Sequence, residues 1–280
     1  MSSEFIFHCM SGLPRSGSTL LAAILRQNPN VQHAGITSPV LPMIVKISSI
    51  MVEGELVTEF NESQRKNLIY GIIKNYYLNK TSTHNKNIIF DNHRMWCTRL
   101  NLLDYIDPNS KVICCVRDPV WIINSFERII QSDPLLGSHL IPIEYRGTLH
   151  ERVEALLSNG GAFGYCWKAI REAFYSKFSR KLIIVDYDTL TKRPKETLIR
   201  LESILGIKHH VYDFNNINFN SANRFDENLN TVGLHSVGKH IHPPSRHLTL
   251  PPDIVSRLAG CMFWRDPSEN RENVDIICDT

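Results

Sequence analysis

Four short apolar runs punctuate the chain, each ending in polar residues: EFIFHCMSG (4–12), NIIFDN (87–92), KVICCVRD (111–118) and KLIIVDYD (181–188). Their length and their Ile, Val and Phe content predict strands buried on both faces, as in a parallel sheet. Between them, apolar residues recur at three- and four-residue spacing over Ser18–Gln27, Pro39–Met51, Glu62–Leu78, Thr98–Tyr105, Pro119–Gln131, Glu151–Phe178 and Pro194–Leu205, which predicts helices. Strand and helix in alternation imply an α/β fold, a three-layer α/β/α sandwich around a mostly parallel central sheet. Ligands of such sheets bind outside the carboxyl ends of the strands. Here those ends carry Ser11 to Thr19, Asp91 to Arg94, Arg117 with Asp118, and Asp186 to Asp188.

From about 208 to 252 the periodicity fails and the sequence turns Asn-rich and then His-rich, FNNINFNSANRFDENLN followed by GLHSVGKHIHPPSRH. A patternless tract this long inside a compact protein is expected to be a lid or substrate loop rather than a linker. A final helix is predicted over Asp253–Met262, and residues 1–280 are expected to form a single domain.

Composition narrows the partners more than the fold. A net charge of +3 is too small to indicate nucleic acid or a membrane surface, so any anionic partner must be held by a local cluster. The seven cysteines form no C-x-x-C pair and several lie in apolar runs, where cysteine behaves as a small buried hydrophobe; a reducing, cytoplasmic setting is expected. The first residues carry no basic segment, and no apolar run reaches membrane-spanning length, so a soluble protein without stable membrane insertion is expected. The oligomeric state is not legible.

The chemistry concentrates in two stretches. In the first, Gly12-Leu13-Pro14-Arg15-Ser16-Gly17-Ser18-Thr19 links a predicted strand to a helix whose apolar stripe is Leu20, Leu21, Ile24 and Leu25. Backbone N–H groups at such a turn bind phosphate-like anions, although Gly-rich strand-to-helix turns also occur without ligands. A triphosphate loop of this spacing carries Lys before its Ser or Thr; here Ser18 takes that position, Thr19 keeps the hydroxyl, and Arg15 brings the charge inside the loop. That change argues against transfer of a γ-phosphate by a kinase or hydrolase. In the second stretch, CVRDPVWIINSFERI, Arg117 emerges at a strand tip and Ser125 follows eight residues later on a predicted helix. The pair could grip one phosphate through an Arg fork and a hydroxyl, or Arg117 could simply pair with Asp118.

Together these motifs resemble the sulfotransferases that use 3′-phosphoadenosine 5′-phosphosulfate. PRSGST is similar to the family's 5′-phosphosulfate loop, PRSGTT in its tyrosylprotein branch, and VRDPVWIINS resembles its 3′-phosphate element. PNSKVICCVRD, VDYDTL with Arg193-Pro194, and LIRLESILGI extend the likeness over roughly residues 5–210. The resemblance implies a nucleoside-triphosphatase-like sulfotransferase fold and metal-independent, in-line transfer of a sulfuryl group to a hydroxyl, on a peptide tyrosine or on a small molecule, glycan or lipid. It places Arg15, Ser16, Gly17, Ser18 and Thr19 around the 5′-phosphosulfate, Arg117 and Ser125 at the 3′-phosphate, and Tyr187 near the nucleotide. It also assigns GLHSVGKHI, 233–241, to a loop covering the 3′-phosphate through Ser236 and Lys239.

The family's base does not carry over simply. Where the tyrosylprotein branch has Glu in a G-E-E-T-R context, this chain has Ile36 or Thr37. The cytosolic branch places a His after a strand in a K-T-H context; His93 matches that His, Asp91 stands in place of the Lys, and Arg94 is a substitute cation for the transferring group. A neutral imidazole suits a base near pH 7. His235 and His33 are reserve candidates, Asp91 is expected to orient His93 or the acceptor or to cap the following helix, and Trp96, Trp121 and Tyr165 are candidates to line an apolar acceptor pocket. A nucleotide-binding protein on a degenerated transferase fold remains the non-enzymatic alternative.

Overall fold

The computed structural model describes residues 5–78, 87–132, 141–219, 223–228, 234–243 and 247–279. Six strands form one sheet: β1 (Ile6–Gly12), β2 (Val31–Ala34), β3 (Ile88–Asn92), β4 (Val112–Val116), β5 (Leu182–Asp186) and β6 (Asp275–Ile277), in the order β2-β3-β1-β4-β5-β6 with every pair parallel. The helices are α1 (Ser18–Leu25), α2 (Val40–Val52), α3 (Glu62–Leu78), α4 (Leu100–Ile106), α5 (Pro119–Ser132), α6 (Leu149–Leu157), α7 (Gly164–Phe174), α8 (Tyr187–Lys192), α9 (Pro194–Leu205), α10 (Asn223–Asn228) and α11 (Pro252–Leu258).

The sheet is central because alternate residues of each inner strand are apolar on both sides. Phe7, Cys9, Ile89, Val112, Cys114 and Ile184 face a core shared with α2 through α7. Met10, Phe90, Ile113, Cys115, Ile183 and Val185 face a second core closed by α1 and α9. The expected three layers are therefore present. The connection leaving β1 leads toward β2 on one side, and that leaving β4 leads toward β5 on the other. Such a reversal opens a crevice at the carboxyl ends of the two neighbouring strands, and both predicted anion motifs begin there.

The structure departs from the pattern reading in several places. The helix predicted over Glu151–Phe178 is two, α6 and α7, because Asn159-Gly160-Gly161 interrupts it with residues of low helix propensity. The final helix stops at Leu258 before Gly260, not at Met262. The strands β2 and β6 have only four and three residues and sit at the sheet edges, too short to register as apolar runs. Within the patternless tract, α10 forms, Ile217 and Tyr212 are buried against the second core, and Ile217 N–H donates to the Lys239 carbonyl at 2.8 Å. Glu4, at the start of the first predicted strand, and Gly233, at the start of the late loop, lie outside the described residues.

Candidate active site

A cavity of about 510 Å³ opens at the carboxyl ends of β1, β3 and β4. Its floor is the turn from β1 into α1. Gly12 has φ +139, and a Cβ there would lie 2.2 Å from the Cys115 carbonyl oxygen, so only glycine lets β1 lie this close to β4 as the loop begins. Gly17, with φ +88, lies against the Tyr187 ring, which a Cβ would approach to 2.6 Å. Between them Arg15 takes a left-handed conformation, φ 57, which costs a non-glycine residue about 1–2 kcal/mol. Two contacts hold it there. Its carbonyl accepts from Arg117 Nη1 at 3.2 Å, and its own Nε donates to Ser125 Oγ at 3.1 Å.

The two halves of the predicted anion site are thus one object. Arg117 reaches across from the end of β4, its guanidinium 4.5 Å from the centroid of the Tyr187 ring that also meets Gly17. Burial, reinforced by the adjacent Arg117 charge, holds the Arg15 guanidinium below its ordinary pKa. Like charges pressed together in this way favour a bound anion. Ser18, Thr19 and Gly17 line the cavity beside them. The Ser16 hydroxyl does not: it is buried against the Leu13 carbonyl at 2.5 Å and the Cys115 carbonyl at 2.8 Å, where it braces the loop. Ser125 contributes by positioning Arg15 rather than by facing the cavity.

The β3 end supplies a second wall. His93, Arg94 and Asn92 line the cavity, as do Ile36 and Thr37, which bring no carboxylate to the wall. His93 caps the short 3₁₀ turn Arg94–Thr98, its Nδ1 accepting from Met95 N–H at 3.2 Å. Burial lowers its pKa, with Arg94 adding to that and Asp91 opposing it. Asp91 itself neither orients His93 nor caps a helix. It is fully buried in the core, accepting from Trp96 Nε1 at 2.5 Å and from the hydroxyls of Tyr77 and Ser38. Trp96 is accordingly core, and neither Trp121 nor Tyr165 lines the cavity. His33 packs on Tyr77, ring centroids 4.8 Å apart, outside the cavity wall.

The late segment forms the third wall. Leu234 to Gly238 and His240 to His242 line it, Ser236 among them, whereas the Lys239 side chain is exposed outside it. His235 is held by Asp226 of α10, a buried carboxylate that meets its Nδ1 at 2.5 Å and accepts its backbone N–H at 2.9 Å. The Phe225 ring packs edge-on against the imidazole at 5.2 Å. Asp226 was not legible beforehand: it lies nine residues from His235 in a tract without periodicity, and an acidic residue near a histidine there carries no signal by itself.

The model of the sulfotransferase family matches residues 9–210. The chain belongs to the sulfotransferase family and is a transferase. Among solved structures it is similar to the sulfotransferase domain from the curacin biosynthetic pathway, at 19% identity and a TM-score of 0.45 over 74% of this chain and 75% of that one. It is also similar to the sulfotransferase domain from the Synechococcus PCC 7002 olefin synthase (16%, 0.42, 73% and 74%). A third is sulfotransferase STF9 from Mycobacterium avium (11%, 0.42, 74% and 65%). No curated protein matches the chain. No helix among the described residues is long and apolar enough to cross a membrane.

Proposed function

We propose that this sulfotransferase moves a sulfuryl group from 3′-phosphoadenosine 5′-phosphosulfate to a hydroxyl acceptor, a phenol or alcohol of a peptide or small molecule, in a cytoplasmic setting. One observation carries the reading. Arg15 and Arg117 converge at the ends of β1 and β4, half-buried together over a backbone loop of the kind that receives an anion. The fit extends to the flanks: Gly17 to Thr19 surround the 5′ end, and Tyr187, stacked on Arg117, lines the cavity beside the nucleotide.

In this reading Arg117 holds the 3′-phosphate, with Ser125 setting Arg15, and Ser236 lies on the facing wall. Arg15 and Arg94 neutralise charge on the leaving and equatorial oxygens as the S–O bond stretches, so preorganised cations carry the rate without a metal ion. His93 touches the transferring group beside Arg94. Apolar side chains on the walls, Ile36, Leu234 and Ile241 among them, give the acceptor an apolar face.

The test is binding. Arg117→Ala is expected to weaken 3′-phosphoadenosine 5′-phosphate by about 2–3 kcal/mol, the loss of charge-assisted contacts. Adenosine 5′-phosphosulfate, which lacks the 3′-phosphate, loses less, only what the loosened Arg15 carbonyl costs. Equal losses for both ligands by titration calorimetry remove the assignment.

A further inference from the structure

Two of the four histidines that line the cavity, His93 and His235, are held in opposite tautomers, and that separates their chemistry. A backbone N–H can only donate, so His93 Nδ1, which receives one from Met95, must present its lone pair. The neutral His93 ring therefore carries its proton on Nε2, and the edge left for a ligand is a donor. His235 is the reverse. Its Nδ1 faces the Asp226 carboxylate at 2.5 Å, which only accepts, so Nδ1 carries the proton and Nε2 keeps the lone pair. The second Asp226 oxygen takes the His235 backbone N–H, so one buried carboxylate fixes both main chain and ring.

We propose, resting on the sulfuryl-transfer reading, that His235 with Asp226 behind it is the general base of this enzyme, and that His93 is a hydrogen-bond donor to the transferring sulfuryl group. The acceptor hydroxyl gives its proton to His235 Nε2 as its oxygen bonds to sulfur. The bond from sulfur to the 5′-phosphate oxygen breaks, its electron pair leaves with 3′-phosphoadenosine 5′-phosphate, and the imidazolium formed is stabilised by Asp226 until it releases the proton to water. This arrangement also accounts for the wall at Ile36 and Thr37, which lacks a carboxylate: the proton acceptor stands on the late segment opposite. Burial depresses the His235 pKa, with Asp226 of α10 opposing that and Arg15 of the first loop and Arg94 of the β3 end adding to it. The ring is consequently neutral at pH 7, able to take a proton, and the acid limb of activity falls below pH 6.5.

Long-range ¹H–¹⁵N correlation on the full chain labelled in histidine tests the tautomers without any acceptor, with peaks assigned from His93→Gln and His235→Gln. At pH 7 the expected result is Nδ1–H for His235 and Nε2–H for His93; Nε2–H or a doubly protonated ring at His235 overturns the proposal. Turnover gives the second arm, with tyrosine methyl ester, a phenol of pKa about 10, set against a nitrophenol already ionised at the assay pH. His235→Ala is expected to lose at least about a hundredfold with the first, the range of general-base catalysis, and a few-fold at most with the second. Equal loss with both acceptors, or that acceptor-dependent loss appearing in His93→Ala instead, overturns it. Asp226→Asn is expected to shift the His235 tautomer and to reproduce the acceptor-dependent loss in smaller measure. Binding of 3′-phosphoadenosine 5′-phosphate by the unaltered protein is read separately: its absence ends the sulfuryl-transfer reading, while its presence with the wrong tautomer ends only this one.

Discussion

The floor of the cavity and its late wall solve the same problem, holding a charged group in place, by different means. At the floor, β1 and β4 lie so close that Gly12 fits only without a side chain, the Ser16 hydroxyl donates to the Leu13 and Cys115 carbonyls, and Arg117 donates to the Arg15 carbonyl. In the late wall, α10 and Leu234–His242 are joined by one carboxylate, Asp226, and the segment is pinned to the body by pairs such as Ile241 N–H to the Phe214 carbonyl at 3.0 Å. Rigid backbone suits an anion that must be met by many donors at once. A base needs one nitrogen aimed correctly, and a single bidentate side chain is enough. The difference teaches that the two walls should respond oppositely to backbone and to side-chain changes.

The sharpest break is at the glycines. Gly12→Ala places a Cβ against the Cys115 carbonyl at a left-handed φ, and is expected to cost more than about 3 kcal/mol by urea unfolding, because β1 and β4 must part. A smaller effect comes from pH. His8, buried on β1 with Nδ1 accepting from Lys111 N–H, has its pKa lowered from 6.5 to about 4, chiefly by burial. The unfolded chain binds the proton first, so the neutral ring contributes stability that is complete above pH 6.5 and is lost as the pH falls toward 4. At ~1.4 kcal/mol per pKa unit the loss is about 3 kcal/mol, and His8→Leu should flatten urea midpoints between those pH values.

Ser125→Ala removes one neutral partner of Arg15 and is expected to weaken 3′-phosphoadenosine 5′-phosphate by about 1 kcal/mol with unfolding unchanged, which calorimetry and urea titration would separate. Smallest of all is Gly238→Ala in the late wall. The nearest atom to its new Cβ is the His240 carbonyl oxygen at 3.6 Å, an ordinary contact, so stability should stay within about 0.5 kcal/mol. A large loss at Gly238, or a tolerated Gly12→Ala, would erase the contrast between the walls.

Legibility follows the same division. The anion loop and the Arg117–Ser125 element could be read because a strand, a turn and a helix place consecutive residues at one spot, so spacing along the chain is spacing in space. The four inner strands and most helices were visible for the related reason that burial imposes a period. The short edge strands β2 and β6, the break between α6 and α7, and the burial of Trp96 were not, since each depends on what lies alongside. Asp91 is the clearest case: from sequence it neighbours His93, yet the alternation of β3 turns it into the core, where three donors satisfy it.

The sequence by itself determined the layered α/β fold, the place of the anion site and its two arginines, because those rest on local conformation and on periodic burial. Tertiary structure alone decided that Arg15 and Arg117 form one site, that Lys239 stays outside while His235 enters, and which ring nitrogen of His93 and of His235 faces a partner. A tautomer is set by the partner across the ring, and the partners here, Met95 two residues from His93 and Asp226 on α10, act through ring orientation that no spacing rule encodes.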